Sequence, residues 1–139
     1  MIRLQREEFN VDEVLHEIRV DSIGGLVTFV GVVRNESKGR RVERMEIEVY
    51  PDMALMHLER IRNEACSKFN VEVAIIHRYG ELKVGDKIMM IAVGGGHRAE
   101  AFEACRFILE EIKTKVPIWK KEITPDGEFW VEGEKHGET

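Results

Sequence analysis

Segment 87–115 constrains the fold more than any other part of the chain. Lys87-Ile88-Met89-Met90-Ile91-Ala92-Val93 is apolar at nearly every position, the pattern of a strand buried on both faces rather than one alternating between core and water. Gly94-Gly95-Gly96 follows at once. From Arg98 onward Ala101, Cys105, Ile108 and Ile112 recur at spacings of four, three and four, so a helix ending near Lys115 buries one face and leaves Glu103, Arg106 and Glu110 to water. A strand covered on both sides, joined to a one-sided helix by a short glycine run, requires stacked layers of sheet and helix. The junction also carries an electrostatic conflict. A helix N-terminus offers unpaired N–H groups and the positive end of its dipole, which favours anions, yet His97 and Arg98 stand there. A bound phosphate or carboxylate would resolve the conflict.

The remaining pattern fills out an α+β order. Residues 2–5 alternate as a short strand, and Asn10 is an N-cap candidate for a short helix carrying Val11, Val14, Leu15 and Ile18. The β-branched run 26–33 reads as a central strand, and 35–41 as a mobile basic loop joining it to a paired strand through Val42, Met45, Ile47, Val49 and Tyr50. Pro51 suits the first turn of a long helix whose apolar period runs to Phe69, its methionines reading as core. Residues 71–77 form a strand, 80–86 are turn-rich, and Pro117 ends the helix begun at Arg98 before a strand at 118–123. A turn at 124–127 precedes Phe129-Trp130-Val131, and 132–139 read as a frayed tail.

At 139 residues the expectation is a single domain, 1–139. Lys and Arg number 21 against 26 Asp and Glu, and the formal net charge of -5 argues against a broad nucleic-acid surface while permitting a local basic pocket. There is also no aromatic stacking motif for single-stranded RNA. No apolar run approaches the roughly 18 residues of a membrane span. Residues 1–8 lack the apolar core of a signal peptide, so the expected location is cytoplasmic. Cys66 and Cys105 lie in helical patterns without a ligand-spaced partner, and His16, His57 and His136 likewise, so buried thiols and no metal or cofactor are expected.

Five basic residues fall at element ends: Arg34, His97, Arg98, Lys113 and Lys120. Side chains there can converge on one cleft, where exclusion of water strengthens charge interactions. Pro117 forces a turn between Lys113 and Lys120, so two different elements can aim them at one locus. Three of them have a plainer reading: Lys113, like Lys115, as a helix C-terminal charge, Arg34 as surface charge and His97 as a solvated histidine at a helix end. Arg106, Lys115 and Lys121 keep that reading. His77 and Arg78 read as structural hydrogen-bonding residues, and Trp119 and Trp130 as buried packing.

Taken in order, several blocks carry a family likeness: Val32-Val33-Arg34-Asn35, Glu48-Val49-Tyr50-Pro51-Asp52-Met53, Ile76-His77-Arg78-Tyr79-Gly80-Glu81-Leu82 and Gly85-Asp86. The order continues through Gly96-His97-Arg98-Ala99-Glu100-Ala101-Phe102-Glu103-Ala104 and Lys113-Thr114-Lys115-Val116-Pro117-Ile118-Trp119-Lys120-Lys121-Glu122. Together they resemble the large, catalytic subunit of molybdopterin synthase, the MoaE family, over roughly residues 1–131. The resemblance implies an α/β-hammerhead-like domain with a mixed or antiparallel sheet covered by helices. It implies transfer of two sulfurs to precursor Z, a cyclic pyranopterin monophosphate, giving the molybdopterin dithiolene. The donor would be the C-terminal Gly-Gly thiocarboxylate of a small ubiquitin-like subunit, bound at each end of a large-subunit homodimer to form a heterotetramer. It further implies Lys113 and Lys120 as catalytic, and Arg34, His97 and Arg98 as substrate-binding, with Arg34 completing the neighbouring subunit's pocket and no metal at this step. The glycines at 94–96 depart from the hydroxyl residue or alanine often found there. The rival readings are a phosphorylated-metabolite-binding module without turnover and a docking scaffold for a ubiquitin-like protein.

Overall fold

The computed structural model describes residues 1–131, and the expected fraying of 132–139 lies outside them. The chain is α+β. Its elements run β1 (Ile2–Gln5), α1 (Val11–Glu17), β2 (Gly25–Val32), β3 (Glu36–Ser37), β4 (Arg40–Arg41), β5 (Arg44–Val49), α2 (Pro51–Phe69), β6 (Glu72–Arg78), β7 (Gly80–Lys83), β8 (Lys87–Gly95), α3 (Arg98–Lys115), β9 (Ile118–Thr124) and β10 (Gly127–Trp130). One four-stranded sheet has the order β1-β6-β8-β2, and a second has β10-β9-β5-β7. The β1–β6 pair is parallel and the other pairs are antiparallel.

The first sheet is covered on both faces, as the apolar run in β8 requires. Val73, Ile75, Met89, Ile91 and Val93 face a core shared with α2, α3 and the inner face of the second sheet. Ala74, Ile76, Met90 and Ala92 face α1 through Phe9, Val14 and Ile18. The alternation of β6 and β8 thus sends successive side chains into two separate apolar clusters. Helix α1 starts where Asn10 Oδ1 accepts the Glu13 N–H at 3.0 Å. Helix α2 buries Ala54, Leu58, Ile61 and Ala65 and stops at Asn70, whose left-handed φ of 56° lets its N–H return to the Cys66 carbonyl. Helix α3 buries Ala101, Ala104, Cys105, Ile108 and Ile112, and Val116 leaves it in extended conformation because Pro117 follows.

Several expectations are corrected. The strand at 26–33 is not central: among the described residues β2 lies at the sheet edge beside β8, with Leu26 and Val32 exposed. Nor does it pair with β5, which belongs to the other sheet. Segment 35–41 is a two-stranded hairpin rather than an open loop, closed at its tip by Lys38 and Gly39 with positive φ. The turn-rich stretch contains β7, which forms the edge of the second sheet beside β5. Neither methionine of α2 is core, Met53 and Met56 both being exposed, and neither Trp119 nor Trp130 is buried.

The glycine run is also different in kind. Gly94 and Gly95 are buried residues of β8, paired with Leu26 and Gly25. The space above them is taken by the chain itself: a Cβ on Gly94 would come within 2.5 Å of Ile23 Cδ1, and one on Gly24 within 2.7 Å of the Gly96 carbonyl oxygen. These glycines admit segment 22–24 across the strand end, where the Gly24 N–H bonds the Gly95 carbonyl.

Candidate functional site

Helix α3 packs on β8 and β2. It turns back after Gly96, and its 18 residues, about 27 Å long, retrace the nine residues of β8, about 30 Å. Its last turn therefore lies at the end of the sheet where β8 begins and β2 stops, and its first turn at the opposite end. That topology sorts the five basic residues into two groups.

Arg34, Lys113 and Lys120 fall at one end. Arg34 follows β2 and is held by its neighbour, whose N–H donates to the Asp86 carbonyl at 3.0 Å while the Val33 carbonyl accepts the Gly85 N–H at 2.8 Å. Its guanidinium is exposed, with a long 3.5 Å approach to Ser37 Oγ. Lys113 projects from the exposed side of the last turn of α3. Lys120 lies on β9 opposite Ile47 of β5. Antiparallel partners share a face, and Ile47 is buried in the core, so half-buried Lys120 projects inward. Trp119 accordingly projects outward, edge to face with Tyr50 at 5.4 Å between ring centroids.

His97 and Arg98 lie at the other end. Fifteen residues of helix separate Arg98 from Lys113, about 22 Å along the axis. The two residues line a shallow recess of about 480 Å³ with Gly24, Gly25, Gly96 and Ala99. Within one chain the structure does not bring them to the lysines. Arg34 stands on the lysine side of its own chain.

Two residues at the lysine end were not among the candidates. Glu122 is buried two positions beyond Lys120 on the same inward face, opposite Met45. His77 is fully buried on β6, where alternation with Val73 and Ile75 aims it into the core that Ile47 and Lys120 face from the second sheet. Its Nδ1 lies 2.8 Å from the Arg78 carbonyl oxygen. Burial, and secondarily the Lys120 charge, push its pKa down to about 4. The signal for Glu122 was present in the alternation of 118–123, which puts Lys120 and Glu122 on the face of a strand that must be covered. Arg78 is structural, as expected: its guanidinium donates to the Arg6 carbonyl at 2.9 and 3.0 Å and to the Lys87 carbonyl at 3.2 Å.

The charges read as solvated are paired at the surface: Lys115 with Glu111, Arg106 with Glu110, and Lys121 with Glu128 and Glu46. Cys66 and Cys105 are free thiols whose pKa values burial raises, so neither is an activated thiolate. Among the described residues no three His, Cys, Asp or Glu side chains are grouped to hold a metal ion. No helix among them is long and apolar enough to cross a membrane.

Residues 4–115 match the family model described as MoaE protein. The chain is 48% identical over 131 residues to the molybdopterin synthase catalytic subunit of Pyrococcus abyssi, covering 94% of this chain and 88% of that one. Its fold superposes with a TM-score of 0.89 on the crystal structure of molybdopterin synthase from Staphylococcus aureus, at 35% identity and with 94% and 96% of the two chains covered. A complex of subunits 1 and 2 of the molybdopterin-converting factor from Helicobacter pylori shares the fold, with a TM-score of 0.78, 20% identity and 94% and 90% coverage. Match, identity and fold agree over nearly the whole described chain, which belongs to the MoaE family, the catalytic subunits of molybdopterin synthase.

Proposed function

We propose that residues 1–139 form one catalytic domain that transfers sulfur to precursor Z from the thiocarboxylate terminus of a small ubiquitin-like subunit. The observation that carries the site is the grouping of Arg34, Lys113 and half-buried Lys120 at one end of the fold. The substrate carries a cyclic phosphate and the donor a thiocarboxylate, and cations in a partly dry cleft attract both. Lys120, facing the core, and Lys113, at the rim, hold the thiocarboxylate and stabilise the charge that develops as its sulfur adds to the pterin side chain. A lysine ammonium also donates the proton this addition requires and regains it later. Water then cleaves the acyl–sulfur bond, leaving the sulfur on the pterin and a carboxylate on the small subunit's terminus, and two such transfers supply the dithiolene.

The separation of about 22 Å between Arg98 and Lys113 leaves each chain with two partial sites. A two-fold dimer completes them, because an isologous contact gives each lysine end the His97–Arg98 end of the second copy. In this reading Arg34, Lys113 and Lys120 act in one chain, His97 and Arg98 bind phosphate and pterin from the other, and a small subunit at each end makes a heterotetramer. The reaction uses no metal or cofactor and runs in the cytoplasm, where thiols such as Cys66 and Cys105 stay reduced.

The test is a single-turnover assay with precursor Z and thiocarboxylated small subunit. Molybdopterin formed by the unmodified chain and lost in Lys113→Ala and Lys120→Ala, with folding and small-subunit binding intact, supports the reading. No product from a folded, partner-bound unmodified chain refutes it and favours a docking or metabolite-binding role.

A further inference from the structure

His77 is the most deeply buried titratable side chain at the lysine end, 1% exposed, and no catalytic step above uses it. Its sheet neighbours are apolar: Leu4 on β1 and Met89 on β8. Across the core stands the inner face of the second sheet, where Ile47 and Lys120 are register partners. Two strands of different sheets thus aim an imidazole and an ammonium into one water-poor space.

The tautomer follows from the hydrogen bond. A carbonyl oxygen only accepts, so at 2.8 Å from the Arg78 carbonyl the His77 Nδ1 carries the proton. In the neutral ring Nε2 then keeps its lone pair. Burial and the Lys120 charge both hold the ring in that neutral form near neutral pH.

We propose that His77 is a positioning residue for Lys120: a buried neutral imidazole, locked by the Arg78 carbonyl, whose Nε2 lone pair orients the Lys120 ammonium toward the reacting sulfur. The inference rests on the catalytic reading of Lys120 given above. A neutral acceptor suits the task. It restrains the ammonium without cancelling its charge, whereas a carboxylate in the same place would compete with the thiocarboxylate for it. The apolar neighbours keep water from replacing the imidazole.

The test compares His77→Leu, which removes both ring nitrogens, with His77→Gln, whose amide can donate to the Arg78 carbonyl and still offer an acceptor. His77→Phe replaces the leucine variant if the latter does not fold. The first readout is the titration of Lys120 by NMR of lysine-labelled protein, assigned with Lys120→Arg. Loss of an acceptor disfavours the charged amine, so His77→Leu is expected to lower the midpoint by about one unit and His77→Gln to restore it. The second is single turnover, expected to fall about tenfold in His77→Leu and to return to within about threefold in His77→Gln, with small-subunit affinity unchanged. A Lys120 titration that is the same in all three folded proteins overturns the proposal. So does a glutamine variant as slow as the leucine variant, which would mark a packing role. If the unmodified chain forms no product, the catalytic reading fails while the titration still decides whether His77 and Lys120 are coupled.

Discussion

Subunit complementation tests the division of the site between two chains. Lys120→Ala and Arg98→Ala are each expected to be inactive as homodimers, because both sites of each dimer lack one essential cation. Equal amounts mixed and allowed to exchange give half heterodimers. In such a dimer one site takes Lys120 from the Arg98→Ala chain and Arg98 from the Lys120→Ala chain, and is intact; the other lacks both. Half the dimers with one of two sites restored returns about a quarter of the unmodified activity. If each chain instead built a complete site, no pairing would restore one and the mixture would stay inactive. The assay is single turnover with precursor Z and thiocarboxylated small subunit, with exchange verified by native mass spectrometry. A fully exchanged mixture without activity would refute the reasoning from the helix length. Lys113→Ala mixed with Lys120→Ala is the control: both residues lie at the same end, so the heterodimer gains no intact site.

Three further outcomes follow from individual residues. Lys113→Ala and Lys120→Ala are each expected to lower the single-turnover rate about 100-fold or more while leaving small-subunit affinity, measured by calorimetry, within a few-fold. Gly94→Ala puts a methyl against Ile23 in a packed strand end and is expected to cost about 1–3 kcal/mol in urea denaturation; unchanged stability would show that Ile23 yields freely. His77 makes stability depend on pH. Its pKa is about 4 folded against 6.5 as a free side chain, so between these values the unfolded chain binds the extra proton and stability falls as pH falls. The unmodified chain should lose about 3 kcal/mol relative to His77→Gln between pH 6.5 and 4, and parallel denaturation profiles for the two would contradict it.

The elements legible in the sequence are those whose own residues decide them. Helices α2 and α3 and strand β8 carry a long apolar period or run, and Asn10 and Pro117 mark local ends through hydrogen bonds or sterics within a few residues. The errors concern relations between distant segments. Leu26, Val27, Phe29 and Val30 make β2 apolar on both faces, but apolarity does not say which strands lie beside it, and among the described residues it lies at the edge beside β8. The glycines at 94 and 95 indicate a close approach of something, and a ligand or a passing chain needs the same absence of Cβ; here it is Ile23 and Gly24 that approach. Lys113 and Lys120 could be grouped from Pro117, but the distance of both from Arg98 depends on α3 folding back over the sheet. His77 reads in the sequence only as a structural hydrogen-bonding residue because a histidine before a turn has no local feature relating it to a lysine 43 positions later in another sheet.

The hairpin of β3 and β4 turns the expected basic loop into a stacked arm, with a consequence for Arg34. Arg40 lies over the Phe129 ring of β10, its guanidinium carbon 3.8 Å from the centroid, and its Nε is buried without a hydrogen-bond partner. The ring face is thus the main attraction holding that side chain. Phe129→Leu keeps the apolar volume and removes the π face, which costs about 0.5–2 kcal/mol. Because the hairpin has two residues in each strand, most of that loss should appear as local opening rather than global unfolding. Where reclosing is faster than cleavage, trypsin cutting after Lys38, Arg40 or Arg41 follows the open population, and the rate should rise about 2- to 30-fold with the denaturation midpoint little changed. The Val42 N–H also bonds the Asn35 carbonyl at 2.8 Å, so opening the arm loosens the residue that follows Arg34. Phe129→Leu should therefore weaken precursor Z binding even though Phe129 has no place among the binding residues. Unchanged trypsin cleavage would mean that the backbone bonds of the hairpin suffice, and that the Arg40–Phe129 contact contributes nothing to holding Arg34 at the site.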